Sequence, residues 1–231
     1  MTRLLFVRHG ETTWNREGRI QGWAATSLTG RGRDQARATG VYLRSVGVDR
    51  VLSSDLRRTQ ETARLMRDGT RAVGGGDVGG RSDGPRGGES DRQGDGDRPG
   101  VDAALSFEQA WRERDFGDYQ GLDRAAIADR HEGFDPTGSL VAVESVPGGE
   151  SLDEFCRRVV AGWESLLACV DDETVAVVTH GGPLRAVVAE VTGRDVPTLA
   201  REWSPANCGV TEVDVSGDPD VVRRDDTSHL E

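Results

Sequence analysis

The chain has 231 residues, room for one large domain or two small ones. It carries 29 arginines and no lysine against 40 acidic residues, a net charge of −11, which argues against wrapping nucleic acid or lying on an anionic membrane. No apolar run approaches the ~20 residues of a membrane span, and the opening MTRLLFVRHGE has neither the apolar length nor the cleavage site of a secretory signal, so a soluble, cytoplasmic protein is expected.

Taken in chain order, Leu4-Leu5-Phe6-Val7 reads as a short buried strand. Thr29 to Val46 reads as a helix with Thr29 as its N-cap and Ala36, Leu43 and Val46 turned inward. A second strand follows at Arg50 to Ser53, then a helix from Asp55 to Arg67. The stretch from Gly69 to Gly100 holds 12 of the 31 glycines and almost no aliphatic side chains, so it is read as a flexible insertion that buries too little to offset its ordering entropy. Ser151 to Val170 is the clearest helix: Ser151 and Glu154 form a capping box, and Leu152, Phe155, Val159, Trp163, Leu166 and Val170 recur at steps of three and four. TVAVVT at 174–179 is a continuous apolar strand, of the kind covered on both faces in a parallel sheet. Pro183 then sits in the first turn of a helix reaching Thr192. Val210 to Val215 alternates as an edge strand would, which leaves dimerisation open, and 216–231 reads as a polar, acidic tail that frays. Strands alternating with helices imply an α/β fold: a three-layer sandwich, its sheet mostly parallel, in one domain spanning 1–215 and interrupted at 69–100. Cys156, Cys169 and Cys208 are odd in number and far apart, so they are read as small core residues and not as a disulfide or zinc framework.

Ligands of open α/β sheets gather beyond the carboxyl ends of the strands, and two histidines sit there. His9 follows the first strand through Arg8, and His180 follows TVAVVT directly, each with glycine beside it to let backbone approach a ligand closely. The second strand ends in Ser53-Ser54-Asp55-Leu56-Arg57-Arg58 and delivers arginines to the same edge. Two histidines and two arginines converging inside an acidic protein suit a phosphate, whose oxygens a guanidinium binds in bidentate fashion. Taken singly, each piece has a plainer reading: a strand-end histidine that is only hydrogen-bonded, a solvated Arg57-Arg58, and a surface charge run around Glu113. His131 and His229 carry no motif and are read as surface residues.

The ordered set of motifs LLFVRHGETTWNREGRIQG (4–22), SLTGRGRDQA (27–36), VLSSDLRRTQETA (51–63), RERDFGDYQG (112–121), PGGESLDEF (147–155) and VAVVTHGG (175–182) resembles the histidine phosphatase, or phosphoglycerate mutase-like, superfamily. The resemblance implies that fold and a phosphohistidine intermediate formed on His9. It implies that Arg8, Arg58 and His180 clamp the phosphoryl oxygens, and that Glu113 protonates the leaving alkoxide and then activates water. Glu113 must then start protonated, which phosphate in the pocket favours by repulsion. Asn15, Gln21, Gly22, Gly181 and Gly182 fall where relatives line the phosphate pocket, and neither metal nor cofactor is implied.

Cofactor-dependent mutases of the family carry a lysine where Arg124 stands, an arginine pair that the following AAIADRHEGFDPTGSL lacks, and usually His-Gly-Asn in place of His180-Gly181-Gly182. The site for a second phosphate thus reads as depleted, and hydrolysis of a small phosphorylated metabolite is the expected activity. A mutase and a phosphate-binding module without turnover are the alternatives. Trp14, Trp23 and Tyr119 lie near the motifs and fit either the leaving group or the core, so the sequence does not choose among sugar phosphates, nucleoside-type phosphates and phosphoglycerate.

Overall fold

Leu4 and Phe6 join one apolar cluster while Leu5 and Val7 join another, the alternation of a strand buried on both faces. This strand, β1 (Arg3–Arg8), is central to a six-stranded sheet in a computed structural model that describes residues 2–69, 105–130, 134 and 139–231. The other strands are β2 (Arg50–Ser54), β3 (Leu105–Glu108), β4 (Thr174–Thr179), β5 (Val210–Asp214) and β6 (Asp220–Asp226). The helices are α1 (Thr13–Arg16), α2 (Gly30–Ser45), α3 (Arg57–Gly69), α4 (Arg124–Ala128), α5 (Leu152–Leu167), α6 (Gly181–Thr192) and α7 (Val196–Glu202). The sheet order is β3-β2-β4-β1-β5-β6; β3, β2, β4 and β1 pair in parallel, and β5 pairs antiparallel with both neighbours. The sheet is therefore mostly parallel, and the α/β sandwich is as expected.

Two helical layers cover it. Ala36 and Leu43 of α2 and Ala63 and Met66 of α3 pack on Leu5, Val7, Val51, Ala176 and Val178. Gly40 lets the two helices close up, since a Cβ there would run into the Met66 carbonyl. Phe155, Val159 and Trp163 of α5, with Leu184 and Val187 of α6, pack on Leu4, Phe6, Leu52, Val175 and Val177. The capping box of Ser151 and Glu154 is formed, and Thr29 caps α2 through the Gly32 N–H at 3.0 Å. Among the described residues no helix is long and apolar enough to cross a membrane. The glycine-rich insertion, apart from Gly69 at the end of α3, lies outside the described residues, as does His131.

The C-terminal expectations need correction. Residues 216–231 do not fray: β6 pairs with β5, so Val210–Asp214 is an inner strand, and dimerisation through its edge is closed. Arg223 bonds Glu212 at 2.7 Å and the Tyr42 hydroxyl at 3.0 Å. His229 is half-buried, stacking on Tyr42 with ring centroids 5.0 Å apart, with its Nε2 3.0 Å from the Thr39 hydroxyl. These partners lie far away in sequence, so no local pattern announced them; a charged strand is what an exposed sheet edge ordinarily uses. The cysteines also divide: Cys208 is buried as expected, Cys156 is half-buried and Cys169 is exposed.

Truncation before Ser216 removes this ladder and bares β5. A loss of ~2–3 kcal/mol is expected, lowering Tm by roughly 5–10 °C for a domain of this size; a melt unchanged by truncation would show the segment to be peripheral.

Candidate active site

The parallel register of β1 with β4 sets Arg8 opposite Thr179, so the next residues, His9 and His180, emerge side by side at the carboxyl ends of adjacent strands. The His9 N–H extends the ladder by donating to the Thr179 carbonyl at 2.9 Å. The two imidazole centroids lie 5.3 Å apart. β2 flanks β4 on its other side, with Ser53 opposite Val178, and brings Ser54 and the first turn of α3 to the same edge. The Arg57-Arg58 pair then splits: Arg57 is exposed, whereas Arg58 is only 1 % exposed.

Hydrogen bonds fix the protonation of both rings. His9 Nδ1 lies 2.8 Å from the Gly10 carbonyl, which can only accept, so Nδ1 carries the proton and Nε2 keeps its lone pair. The Arg58 Nε–H donates to His180 Nδ1 at 3.2 Å, which places the proton of that ring on Nε2, 2.9 Å from the Ser54 hydroxyl. The Asn207 amide donates to the His9 carbonyl at 2.9 Å and backs the loop. Gly10 passes so near Gly32 that a Cβ on either would meet the other's segment, which seats the His9 loop against the start of α2.

Glu113 arrives on an irregular segment whose polar groups are satisfied by side chains. The Thr179 hydroxyl donates to the Trp111 carbonyl at 2.8 Å, Trp23 Nε1 donates to the Glu113 carbonyl at 2.7 Å, and Arg158 bonds the carbonyls of residues 109, 110, 112 and 113. The Glu113 carboxylate accepts the N–H of Arg114 at 2.9 Å and that of Gly182 at 3.2 Å. A Cβ on Gly182 would occupy the place of Glu113 Oε1. The Arg114 side chain is fully buried and donates to the carbonyls of Val141, Val143, Glu144 and Glu150, which pins the 139–150 segment over the cleft.

The resulting cleft, about 220 Å³ in volume, is lined by Arg8, His9, Asn15, Gln21, Gly22, Arg58, Glu113, Arg124 and Gly181 among the expected residues. The Asn15 and Gln21 amide oxygens face the Thr12 hydroxyl, each at 3.0 Å, leaving their NH2 groups as donors. Gly22, at φ +49°, presents its carbonyl to Arg58 Nη2 at 2.7 Å. Gly182 acts on Glu113 and is not itself part of the lining. His180 is fully buried, its Nδ1 accepting from Arg58 and its Nε2 against the Ser54 hydroxyl, one residue before Gly181 of the lining. Trp14 lines the cleft beneath Arg19, whereas Tyr119 belongs to the core.

Two cations of the lining, Arg19 and Arg185, escaped the sequence reading. Arg185, on α6, lines the cleft while only 7 % exposed, and its Nε donates to the Trp203 carbonyl at 2.9 Å. The outer cleft is therefore not depleted of positive charge as expected: Arg19, Arg124 and Arg185 all border it. A signal existed, since an arginine interrupting the apolar run Pro183-Leu184 and Ala186-Val187-Val188 has no business there as a packing residue.

Burial pushes both histidines well below their ordinary value, Arg58 adding to it in each case and Arg8 in both. The rings are therefore neutral near pH 7. Burial also lowers Arg58 and Arg185 to about 10, with Glu113 opposing, so both stay charged. Among the described residues no group of three or more histidines, cysteines and carboxylates is placed to hold a metal ion.

Comparison with known proteins gives a consistent picture. The model of the histidine phosphatase superfamily (branch 1) matches residues 4–73 and 98–226. The probable phosphoglycerate mutase GpmB of Enterobacter sp. is 31% identical over 221 residues, 95% of this chain and 87% of that one. Among solved structures, Bacillus stearothermophilus YhfR is 26% identical with a TM-score of 0.75 over the whole of both chains. A mycobacterial glucosyl-3-phosphoglycerate phosphatase is 24% identical with a TM-score of 0.75, over 98% of this chain and 100% of that one, a likeness of fold.

The depressed histidines carry a stability signature. Unfolded, each takes up a proton as pH falls below about 6.5, while the folded chain refuses it, so stability drops with falling pH by ~1.4 kcal/mol per unit for each ring until its folded value is reached. In urea unfolding at pH 6.5 and 5.5, His9→Asn is expected to shrink the loss by ~1 kcal/mol; an unchanged loss would show that His9 titrates as it does in the unfolded chain.

Proposed function

Because the chain belongs to the histidine phosphatase superfamily, we propose that it hydrolyses small phosphomonoesters through a phosphohistidine on His9. The observation that carries this reading is the placement of a neutral His9, the half-buried Arg8, the buried Arg58 and the Glu113 carboxylate around one cleft.

His9 Nε2 attacks phosphorus while the bond to the ester oxygen breaks, and Glu113 delivers a proton to the departing alkoxide. Arg8 and Arg58 hold the phosphoryl oxygens and spread the charge that builds on them. Arg58 still has guanidinium N–H groups to spend after its bonds to Gly22, Ala24 and His180. Water, deprotonated by Glu113, then displaces His9 from phosphorus and releases inorganic phosphate. His180 acts one step back by fixing the Arg58 fork, and Asn15 and Gln21 offer amide donors to the same oxygens.

A mutase shares this first half and differs in returning the phosphoryl group to an acceptor. The GpmB relative keeps that reading alive. Against it, position 182 offers no side chain to a second phosphate, because the Glu113 carboxylate fills the space where one would stand.

A panel of phosphomonoesters, with and without a bisphosphate primer, separates the readings. Phosphate release without primer supports hydrolysis, primer-dependent isomerisation supports the mutase, and binding without turnover supports a phosphate-binding module. His9→Ala is expected to abolish turnover, and Glu113→Gln to lower kcat by roughly 10²–10⁴ for alkyl phosphates.

The contact at position 182 gives an independent check. Gly182→Ala should displace the carboxylate and lower kcat for alkyl phosphates about tenfold or more, with a smaller loss for an aryl phosphate whose leaving group needs no proton. Equal losses on both would show that Gly182 does not act through Glu113.

A further inference from the structure

Arg8 and His9 are gripped from one side by the turn that joins α7 to β5. The Cys208 N–H donates to the Arg8 carbonyl at 3.0 Å, and the Arg8 N–H donates to the Gly209 carbonyl at 3.3 Å. The Asn207 amide donates to the His9 carbonyl at 2.9 Å, and the Arg8 guanidinium reaches the Pro205 carbonyl. The backbone of both residues and the side chain of Arg8 therefore take their position from residues 205–209. Within this turn the Gly209 N–H donates to the Ala206 carbonyl at 3.0 Å, and Cys208 stands in the left-handed region at φ +58°. A side chain holds that conformation only where its surroundings impose it.

The support comes from β6. Between the pairs Val210–Asp226 and Glu212–Arg223, Thr211 faces both Arg224 and Asp225, which makes a β-bulge. Bulges re-aim side chains and gather next to active sites. This one sets Asp225 at φ +59° and ties its N–H to the Thr211 hydroxyl at 3.2 Å. It turns the carboxylate onto the neighbouring turn, where Oδ1 accepts the Ala206 N–H at 2.8 Å. A Cβ on Gly209 would fall on that same oxygen. The strand thus leaves regular pairing at the residue that props the turn under Arg8 and His9. Burial lowers Arg8, and the charges of Glu113 and then Asp225 oppose it, so the same carboxylate helps keep that guanidinium protonated.

We propose that Asp225 is a positioning residue for the proposed nucleophile: through the Ala206 N–H it holds the 205–209 turn in the shape that presents Arg8 and His9 to the phosphoryl group. The C-terminal strand then serves the reaction as well as covering β5. This rests on the hydrolase reading given above and deepens it.

The test measures Tm, and kcat/KM for the best alkyl phosphate and for para-nitrophenyl phosphate, in wild type, Asp225→Gly, Asp225→Asn and Arg223→Gln. Glycine takes the left-handed backbone but removes the acceptor, whereas asparagine takes it and keeps one. Asp225→Gly is expected to lower kcat/KM about tenfold or more, by the same factor for both esters, because Arg8 and His9 serve the phosphoryl group whatever leaves from it. Asp225→Asn should recover most of that loss. Arg223→Gln, which releases Glu212 and Tyr42 in the same strand, should lower Tm and leave kcat/KM unchanged. A smaller loss in Asp225→Gly, a loss confined to the alkyl ester, no recovery in Asp225→Asn, or an equal loss in Arg223→Gln overturns the proposal. Should Asp225→Gly not fold, Gly209→Ala displaces the carboxylate from the other side and is read by the same criteria. If wild type releases phosphate from no ester, the hydrolase reading fails instead. The calorimetric Kd for inorganic phosphate then decides the positioning alone: binding weakened threefold or more by Asp225→Gly but not by Arg223→Gln upholds it, and any other result overturns it.

Discussion

The pairing of β1 with β4 is the constraint on which the site depends. Arg8 lies opposite Thr179, and both strands are buried on both faces, so a slip of one residue would turn every apolar side chain to the wrong layer. Core packing thereby fixes the register, and the register fixes the two histidines side by side. The same Thr179 whose backbone receives the His9 N–H uses its hydroxyl to hold Trp111, two residues before Glu113. One strand end thus positions the proposed nucleophile and tethers the proposed acid.

Around that strand end the chain keeps positive charge where burial opposes it. It does so by pairing guanidiniums with carbonyls in preference to carboxylates, which satisfies N–H groups without cancelling charge. Arg58 and Arg185 remain protonated at neutral pH even when lowered to about 10. A protein of net charge −11 consequently presents a cationic cleft to solution, and among the described residues Glu113 is the one carboxylate on its lining. An ammonium in these places would lose its proton more readily on burial and has no planar fork with which to meet several carbonyls at once.

Arginines also do the work that regular structure cannot do in the 109–115 and 139–150 segments. Arg158 and Arg114 bond successive carbonyls there, substituting for a helix or sheet ladder. Glu113 gains a fixed direction on an otherwise irregular stretch, which the proton-donor role proposed for it needs. Gly182 completes the arrangement by leaving room for the carboxylate against the first turn of α6.

The sequence by itself determined the strands and helices that carry strong periodicity, from the buried run of β4 to the capped α5, because local apolar spacing and capping chemistry are written in neighbouring residues. It also placed His9, His180 and Arg58 at strand ends, since an apolar run followed by polar residues marks where a strand stops. Only the tertiary structure decided that Arg57 is solvated while Arg58 is buried, that His180 turns to Arg58 and Ser54, and that Arg185 reaches the cleft from within an apolar helix. It alone decided that the acidic C-terminal segment is β6, held by Tyr42 and Glu212. Those outcomes depend on partners far along the chain, and a charged side chain's place is set by what it meets across space.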